Sequence, residues 1–261
     1  MKQCRACKST NIKQVLSLGT QYLSGFVDNR DEKPTKYPLS LVMCQDCTLV
    51  QLKDTTPPSA LYTDNYGYQS GINQTMRNHL KEIVQDAMKR VELKNADVVC
   101  DIGSNDSSLL YNYPDAICRV GFDPVAKFKK YYDQKNLIFV NNYFTASGFR
   151  HLFGDTKVKI ITAISMFYDL EDPNAFLKDV VSILHEDGVF IIQQNYLPSM
   201  LAQNAFDNIC HEHLEYYSLT SLERLLTRHG LEVFDAEVND INGGSFRVYV
   251  RHMNTLRKMR L

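Results

Sequence analysis

Short apolar runs alternate with amphipathic stretches throughout the part of the chain that begins at Ala96. Alternation of this kind is typical of parallel βαβ units, in which helices cover the faces of one sheet. Five runs have the length and composition of strands, at 97–102, 117–122, 138–141, 158–164 and 188–193. Helix-forming stretches occupy 107–113, 126–133, 146–152, 174–184 and 221–229. We therefore predict an α/β fold built on a mostly parallel, Rossmann-like sheet.

The end of the chain predicts a hairpin that completes this sheet. Two further apolar runs, 231–238 and 245–251, flank the turn-forming segment 242–244, which reads Asn-Gly-Gly. Before the sheet, apolar residues recur every three or four positions between Leu80 and Val91, the pattern of one helix face. The sequence thus predicts seven strands and three parts, at 1–60, 61–95 and 96–261.

Two cysteine pairs near the N-terminus have the spacing of a metal site. Each pair, Cys4 with Cys7 and Cys44 with Cys47, has two residues between its cysteines, so both thiolates can converge on one ion. Four thiolates complete a closed tetrahedral shell, which is typical of structural zinc. Free or redox-active thiols are the alternative interpretation. Cys100 and Cys118 lie in predicted strands, where we expect small core residues.

The first predicted strand ends in a glycine-containing loop that suits a bound cofactor. Gly103 lets the backbone approach a ligand, and Ser104, Asn105 and Asp106 continue the loop. We expect a helix to begin near Ser107, with its amides facing the ligand. The strict GxGxxG pattern is absent, which disfavours NAD and FAD.

The second and fourth predicted strands contribute to the same edge of the sheet. Asp123, followed by Pro124, ends the second strand and can accept hydrogen bonds from both ribose hydroxyls of an adenosine ligand. Its alternative role is to cap a helix at Ala126. Met166 and Phe167 follow the fourth strand and are candidates for contact with adenine or a sulfonium, or else core residues.

A segment beyond the fifth strand concentrates acid–base groups. His211, Glu212 and His213 are adjacent, and imidazole is the usual general base near neutral pH. A neighbouring carboxylate can orient such a base. The alternatives are a metal site, for which no third ligand is evident, and surface polar residues that precede a helix.

Charge and composition restrict the functional class. The 29 basic and 30 acidic residues give a net charge of −1, whereas sequence-independent nucleic-acid binding needs a basic excess. No signal peptide and no apolar stretch of membrane-spanning length is evident. We expect a cytoplasmic protein with a small-molecule substrate and no membrane or nucleic-acid partner.

These segments together resemble the sugar C-methyltransferases that act on nucleotide-linked 4-keto deoxysugars. The resemblance covers nearly the whole chain, through the four cysteines and the segments 66–70, 102–106, 122–124, 212–213 and 242–247. It implies a class I methyltransferase fold, S-adenosylmethionine (SAM) as cofactor and a structural zinc. It also implies that His213 is the base that forms an enolate, and that Glu212 is its partner or a sugar contact. The segment 66–70 is then expected to close over SAM, with Tyr68 as the contact.

The chain departs from the family pattern at three points. Ser107 stands where glycine is common, and we expect it to be tolerated as a helix starter. Cys210 stands where some members of the family have a tyrosine that joins the catalytic group. The resemblance leads us to expect a second α/β domain, which this sequence lacks beyond Leu261. The basic tail residues could reach a diphosphate, but we expect them to be solvated; they are Arg251, Arg257, Lys258 and Arg260.

These departures keep other functions open. They include methylation of oxygen or of another small metabolite, and a non-catalytic zinc-containing binding subunit. A partner subunit or a homo-oligomer could supply the second domain.

Overall fold

The structure is a computed structural model that describes residues 2–24, 35–61 and 67–253. Tyr66 and the tail residues Arg257, Lys258 and Arg260 lie outside the described residues. In the part of the chain that is described, no helix combines the length and the apolarity that crossing a membrane requires.

The N-terminal part forms a small antiparallel sheet. Strand β1 (Ile12–Tyr22) pairs with β2 (Lys36–Cys44), which pairs with β3 (Val50–Leu52). The short helix α1 (Pro58–Leu61) follows, and then α2 (Gln74–Arg90). Helix α2 confirms the predicted apolar helix face, because Leu80, Ile83, Val84 and Ala87 are buried along it.

A seven-stranded sheet forms the main body, as predicted. Its strands are β4 (Val98–Ile102), β5 (Cys118–Phe122), β6 (Leu137–Val140), β7 (Val158–Ile164), β8 (Leu184–Asn195), β10 (Leu231–Asn239) and β11 (Ser245–His252). Their order is β10-β11-β8-β7-β4-β5-β6. Strands β4 to β8 are parallel, and β11 is antiparallel to both of its neighbours.

Helices cover both faces of this sheet. Helix α2 packs on one face, against a cluster that includes Val99, Ile160 and Ile191. The other face carries the cluster of α3 (Ala146–Phe153), α4 (Pro173–Ile183) and α6 (Leu219–Thr227). Because β4 is covered on both sides, all five of its residues are buried, as expected for a central parallel strand.

The remaining elements are short, and some differ from the prediction. Helix α5 (Leu197–Gln203) follows β8, and β9 (Glu215–Tyr216) pairs with β3 as the fourth strand of the N-terminal sheet. Where α-helices were predicted, short 3-10 segments form at Leu110–Asn112 and Ala126–Tyr131.

The expectation that Ser107 starts a helix is wrong. Its φ is +60°, in the left-handed region, and its hydroxyl donates to the Tyr131 carbonyl at 3.0 Å. This conformation explains why glycine is common at the position in the resembling family, since glycine adopts positive φ without a Cβ penalty.

Candidate functional site

The two cysteine pairs form two equivalent turns. In each turn the residue after the second cysteine has a positive φ, 63° at Lys8 and 66° at Thr48. The amide of that residue donates to the carbonyl of the first cysteine of its pair at 3.0 Å. Each turn therefore directs both sulfurs of its pair to the same side.

The four sulfurs meet at one point. The Sγ atoms of Cys4 and Cys47 are 3.5 Å apart, as are those of Cys7 and Cys44, and all four lie within 4.8 Å of one another. A tetrahedral zinc with Zn–S bonds of about 2.3 Å needs sulfurs about 3.8 Å apart. The residues therefore fit a closed, structural Cys4 zinc site.

The glycine loop wraps the carboxyl end of β4. Gly103 has a φ of +72°, and a Cβ placed there would lie 3.1 Å from Cγ of Met166. The amides of Gly103 and Ser104 both donate to the Phe122 carbonyl at the end of β5. The loop therefore closes tightly over the ends of two neighbouring strands, and no α-helix within the described residues presents its N-terminal amides there.

Asp123 binds the loop through both carboxylate oxygens. One oxygen accepts from the amide of Asn105 at 2.9 Å and the other from the amide of Val125 at 2.8 Å. Burial raises the pKa of Asp123, and these two hydrogen bonds partly oppose the shift. The bond to Val125 resembles the capping role that was considered, but Asp123 also lines the cavity described next.

A cavity of about 280 Å³ opens at this edge of the sheet. Its wall includes Ile102, Leu80, Met166 and Phe144 as apolar residues. Four carboxylates also line it, and among the described lining residues there is no lysine, arginine or histidine; the four are Asp101, Asp123, Asp169 and Glu171. The cavity therefore favours a cationic ligand over one that carries phosphates.

The segment from Tyr68 to Gly71 covers the cavity and is held by the glycine loop. Asn105 accepts from the amide of Ser70 at 3.1 Å and donates to the Tyr68 carbonyl at 3.2 Å. Asp106 accepts from the amide of Gly71 at 2.8 Å. Tyr68, Ser70 and Asn105 line the cavity, whereas the buried Asp106 side chain serves to hold this segment.

His213 is held in one tautomer by its surroundings. Its Nδ1 lies 2.9 Å from the Asn208 carbonyl oxygen, which can only accept, so Nδ1 carries the proton and Nε2 has the free lone pair. The ring of His213 packs edge-on against the ring of Tyr168, with their centroids 4.3 Å apart. Tyr168 immediately precedes the cavity residue Asp169 in the sequence. Burial lowers the pKa of His213, opposed by the Asn208 hydrogen bond and by Glu212. The ring is therefore neutral near pH 7.

Other predicted residues have different environments. Pro124, Ser104 and Met166 line the cavity. Phe167 does not: it is fully buried, and its ring packs against Phe176 and Tyr217 with centroids 5.7 and 5.6 Å apart. We therefore assign Phe167 to the core, which corrects its expected contact with the cofactor.

The two residues before His213 also differ in environment. His211 donates from Nε2 to the Tyr37 carbonyl of β2 at 3.1 Å, so it faces the N-terminal sheet. Glu212 is partly buried and has one oxygen without a hydrogen-bond partner among the described residues.

Asp101 lines the cavity but was not predicted as a site residue. Asp101 is the one charged residue in the otherwise apolar strand β4. A carboxylate in such a strand is a sequence feature that could have indicated a site residue. Thr162 donates to its carboxylate at 2.5 Å. Burial raises the pKa of Asp101 to about 7, with Thr162 lowering it and Asp123 raising it further.

The sheet order, with its reversed last strand, and the cavity at the glycine loop define a class I methyltransferase fold. Residues 73–236 match the profile of a family described as a methyltransferase domain, and the chain belongs to this family. Residues 4–62 match a profile described as "Putative zinc binding domain". The four cysteines lie within the first match and the glycine loop, Asp123 and His213 within the second, whereas Tyr68 and Ser70 lie between the two.

Similar proteins include the C-methyltransferase NovU of Streptomyces niveus, which is 30% identical over 252 residues. The match covers 95% of this chain but 60% of NovU, so the chain spans less than two thirds of that relative's length.

Solved structures share the fold at low identity. A Haloferax volcanii methyltransferase, solved with its Trm112 activator, is 17% identical with a TM-score of 0.55 over 69% of this chain and 93% of that one. The plantazolicin methyltransferase BpumL, solved with S-adenosylhomocysteine (SAH), is 11% identical with a TM-score of 0.52 over 67% of this chain and 82% of that one.

Proposed function

We propose that the chain is a SAM-dependent methyltransferase that methylates a carbon of a nucleotide-linked keto-deoxysugar. The observation that carries the proposal is His213, a half-buried and neutral imidazole whose Nδ1 proton is held by the Asn208 carbonyl. A base of this kind suits removal of a proton from carbon, a step that transfer to a thiol or amine does not need.

SAM suits the cavity by charge and by shape. SAM has two positively charged groups, a sulfonium and an ammonium, and one carboxylate, so its net charge is positive. The described residues that line the cavity include four carboxylates and no cationic side chain. In this proposal Asp123 holds the ribose, while Tyr68, Gly103, Ser104, Asn105, Pro124 and Met166 surround the ligand. Asp106 supports the covering segment. When bound, SAM supplies an electrophilic methyl group.

His213 performs the proton transfer in this proposal. Its Nε2 takes the proton from the carbon beside the keto group of the sugar, and the electron pair moves onto the keto oxygen as an enolate. The enolate carbon is then the nucleophile. Glu212 lies beside His213 and favours the imidazolium that forms, since its negative charge raises the pKa of the ring.

Polar atoms without partners support an acceptor site around His213. Among the described residues, several buried side-chain atoms at the end of β8 and in 212–217 lack a hydrogen-bond partner; they belong to Gln194, Asn195, Glu212, Tyr216 and Tyr217. Leaving such groups unpaired costs about 1–3 kcal/mol each, so a polyhydroxyl ligand or ordered water is a reasonable partner.

NovU supports carbon as the methylated atom, because its name describes a C-methyltransferase and it is 30% identical to this chain. The Haloferax volcanii methyltransferase solved with an activator supports the possibility of a partner subunit. We also propose a structural zinc in the Cys4 site, a cytoplasmic location, and the three-part division at 1–60, 61–95 and 96–261.

Product analysis tests the proposed function. Purified protein is incubated with methyl-labelled SAM and a panel of nucleotide-linked 4-keto deoxysugars, with the corresponding 4-hydroxy sugars as matched controls. We expect label on carbon in keto sugars alone, because the hydroxy sugars have no acidified C–H bond. Label on oxygen, or equal labelling of both sets, would contradict the proposal.

Gly103→Ala is expected to impair SAM binding. The positive φ costs an alanine about 1–2 kcal/mol, and its Cβ would press against Met166 in the cavity wall. Gly230→Ala is the control, since Gly230 has a φ of +69° but open space around its Cα. Thermal unfolding should show lower stability in both variants, whereas calorimetry should show weaker SAH binding in Gly103→Ala alone. Unchanged SAH affinity in Gly103→Ala would contradict the placement of the ligand.

Asp101 is expected to make SAM binding depend on pH. The pKa of Asp101 is about 7 in the ligand-free chain, so the carboxyl is partly protonated near neutral pH. A cation bound beside it favours the carboxylate and lowers this pKa, and a proton is therefore released on binding. SAM affinity should fall as the pH decreases from about 7.5 to about 5.5. Calorimetry in buffers with different ionisation enthalpies measures the released proton, and Asp101→Asn should abolish both effects. Proton release that persists in Asp101→Asn would assign it to another group.

The same raised pKa affects the ligand-free protein. The folded-state pKa of Asp101 exceeds the unfolded value of about 3.9, so the contribution of this carboxyl to stability decreases as the pH rises through about 7.

A further inference from the structure

The segment that contains His213 is attached to the N-terminal sheet on both sides of the base. Two residues before it, His211 donates to the Tyr37 carbonyl of β2. One residue after it, the Leu214 carbonyl accepts from the amide of Leu52 in β3 at 2.8 Å. Immediately beyond, β9 continues the ladder, with Glu215 opposite Gln51. The base therefore lies between two attachments to the same small sheet.

The zinc site connects directly to these attachments. The Gln51 side chain donates to Sγ of Cys4 at 3.1 Å and accepts from the amide of Arg5 at 3.0 Å. Arg5 donates to the Leu52 carbonyl at 2.6 Å, and its Nε lies 3.8 Å from the buried carboxylate of Glu215. One cysteine turn thus contacts both β3 and β9 within the protein interior.

The sequence position of β9 makes this attachment informative. The short strand Glu215–Tyr216 lies between α5 and α6 of the methyltransferase part, yet it pairs with β3. Its pairing needs β3 to be in place, and β3 follows Cys44 and Cys47 within a few residues. Because a two-residue strand has little stability alone, its order depends on the sheet that it joins.

We infer that the zinc-bearing sheet positions the catalytic base, and that His211 is a positioning residue. The inference rests on the proposed role of His213 and extends it: the metal site acts on the proton-transfer step without touching either substrate. Among the described residues, none of β1, β2, β3 or β9 lines the SAM cavity, whose wall comes from the main sheet, from α2 and from the loops beside them. Loss of the metal should therefore disturb the base and spare the cofactor site.

Hydrogen–deuterium exchange of zinc-loaded and zinc-depleted full-length protein tests the inference. We expect amides in 209–217 to exchange about tenfold faster or more after zinc removal, together with 44–52. Amides of β4 and β5, and SAH affinity by calorimetry, should change little. The inference is overturned if 209–217 stays protected in zinc-free protein, or if β4, β5 and SAH binding are lost to the same extent.

A pair of variants at His211 tests the other attachment without disturbing the cysteines. Gln retains a donor at the position of Nε2, whereas Leu removes it. We expect His211→Gln to behave as the parent protein. In His211→Leu the His213 ring should become solvated, so its pKa should rise from its lowered value toward about 6.5. NMR titration of histidine-labelled protein, assigned with His213→Asn, measures this pKa.

Both His211 variants should keep their zinc and their SAH affinity, which shows that they are folded. An unchanged His213 pKa in His211→Leu, or an equal shift in the Gln variant, would overturn the role of His211. None of these measurements needs turnover. If the product analysis fails but the exchange and NMR results are as expected, the proposed sugar chemistry is rejected and the positioning role of the zinc-bearing sheet stands. If the product analysis succeeds but the exchange and NMR results are not as expected, the positioning role is rejected and the sugar chemistry stands.

Discussion

His213→Asn is expected to lower the rate of methyl transfer by about 10²- to 10⁴-fold, the usual contribution of a general base. Asparagine is chosen because its amide can still donate to the Asn208 carbonyl, as Nδ1 of His213 does, while the basic Nε2 is lost. The substitution therefore removes the basic nitrogen and retains the hydrogen bond to the Asn208 carbonyl. SAH affinity should stay within a few-fold, because His213 is not among the residues that line the cavity.

The matched control is His151→Asn, which changes an exposed histidine on α3. It should have parental activity and SAH binding. Single-turnover kinetics with labelled SAM separate the chemical step from product release. A His213→Asn enzyme that binds SAH normally and methylates at the parental rate would exclude His213 as the base. Equal losses in both histidine variants would indicate a nonspecific effect.

The second large effect is expected from removal of a zinc ligand. Cys47→Ser should abolish stoichiometric zinc and destabilise the zinc-bearing sheet by about 3 kcal/mol or more, because the binding energy of a structural zinc contributes to the folding of the part that binds it. Cys47 is buried against Cys4, so the other three thiols would remain close together without their ion. Metal analysis and thermal unfolding measure the two changes.

Cys118→Ser provides the comparison, since Cys118 is a half-buried residue of β5 that lies outside the cysteine cluster. It should keep its zinc and lose little stability. A Cys47→Ser protein that retains one zinc per chain would contradict the Cys4 assignment. Retention of zinc with a marked loss of stability would indicate that Cys47 acts through packing alone.

The architecture of the main sheet could be predicted because it is encoded locally. Strands covered on both faces need mostly apolar residues, and β4 and β7 have them, each with one charged residue. The hairpin of β10 and β11 follows from its Asn-Gly-Gly turn, where Asn242 and both glycines have positive φ. The spacing of the four cysteines likewise predicted their convergence, which the sulfur distances confirm.

The roles of individual loop residues were harder to predict, since they depend on distant partners. Ser107 suits a helix N-cap by its chemistry, yet its bond to the Tyr131 carbonyl stabilises a left-handed conformation. Phe167 is adjacent to the cavity residue Met166 along the chain, but its ring faces the aromatic core. Sequence proximity to a strand end does not determine which face a side chain takes after an irregular turn.

The sequence by itself determined the elements that depend on neighbouring residues: the apolar strands, the α2 face, the glycine turn and the paired cysteines. Only the tertiary structure decided that β9 joins the zinc-bearing sheet, that His211 faces that sheet, and that Asp101 lies in the cavity wall. The physical reason is that these placements arise from contacts between segments far apart in the chain, and composition and periodicity describe only residues near one another.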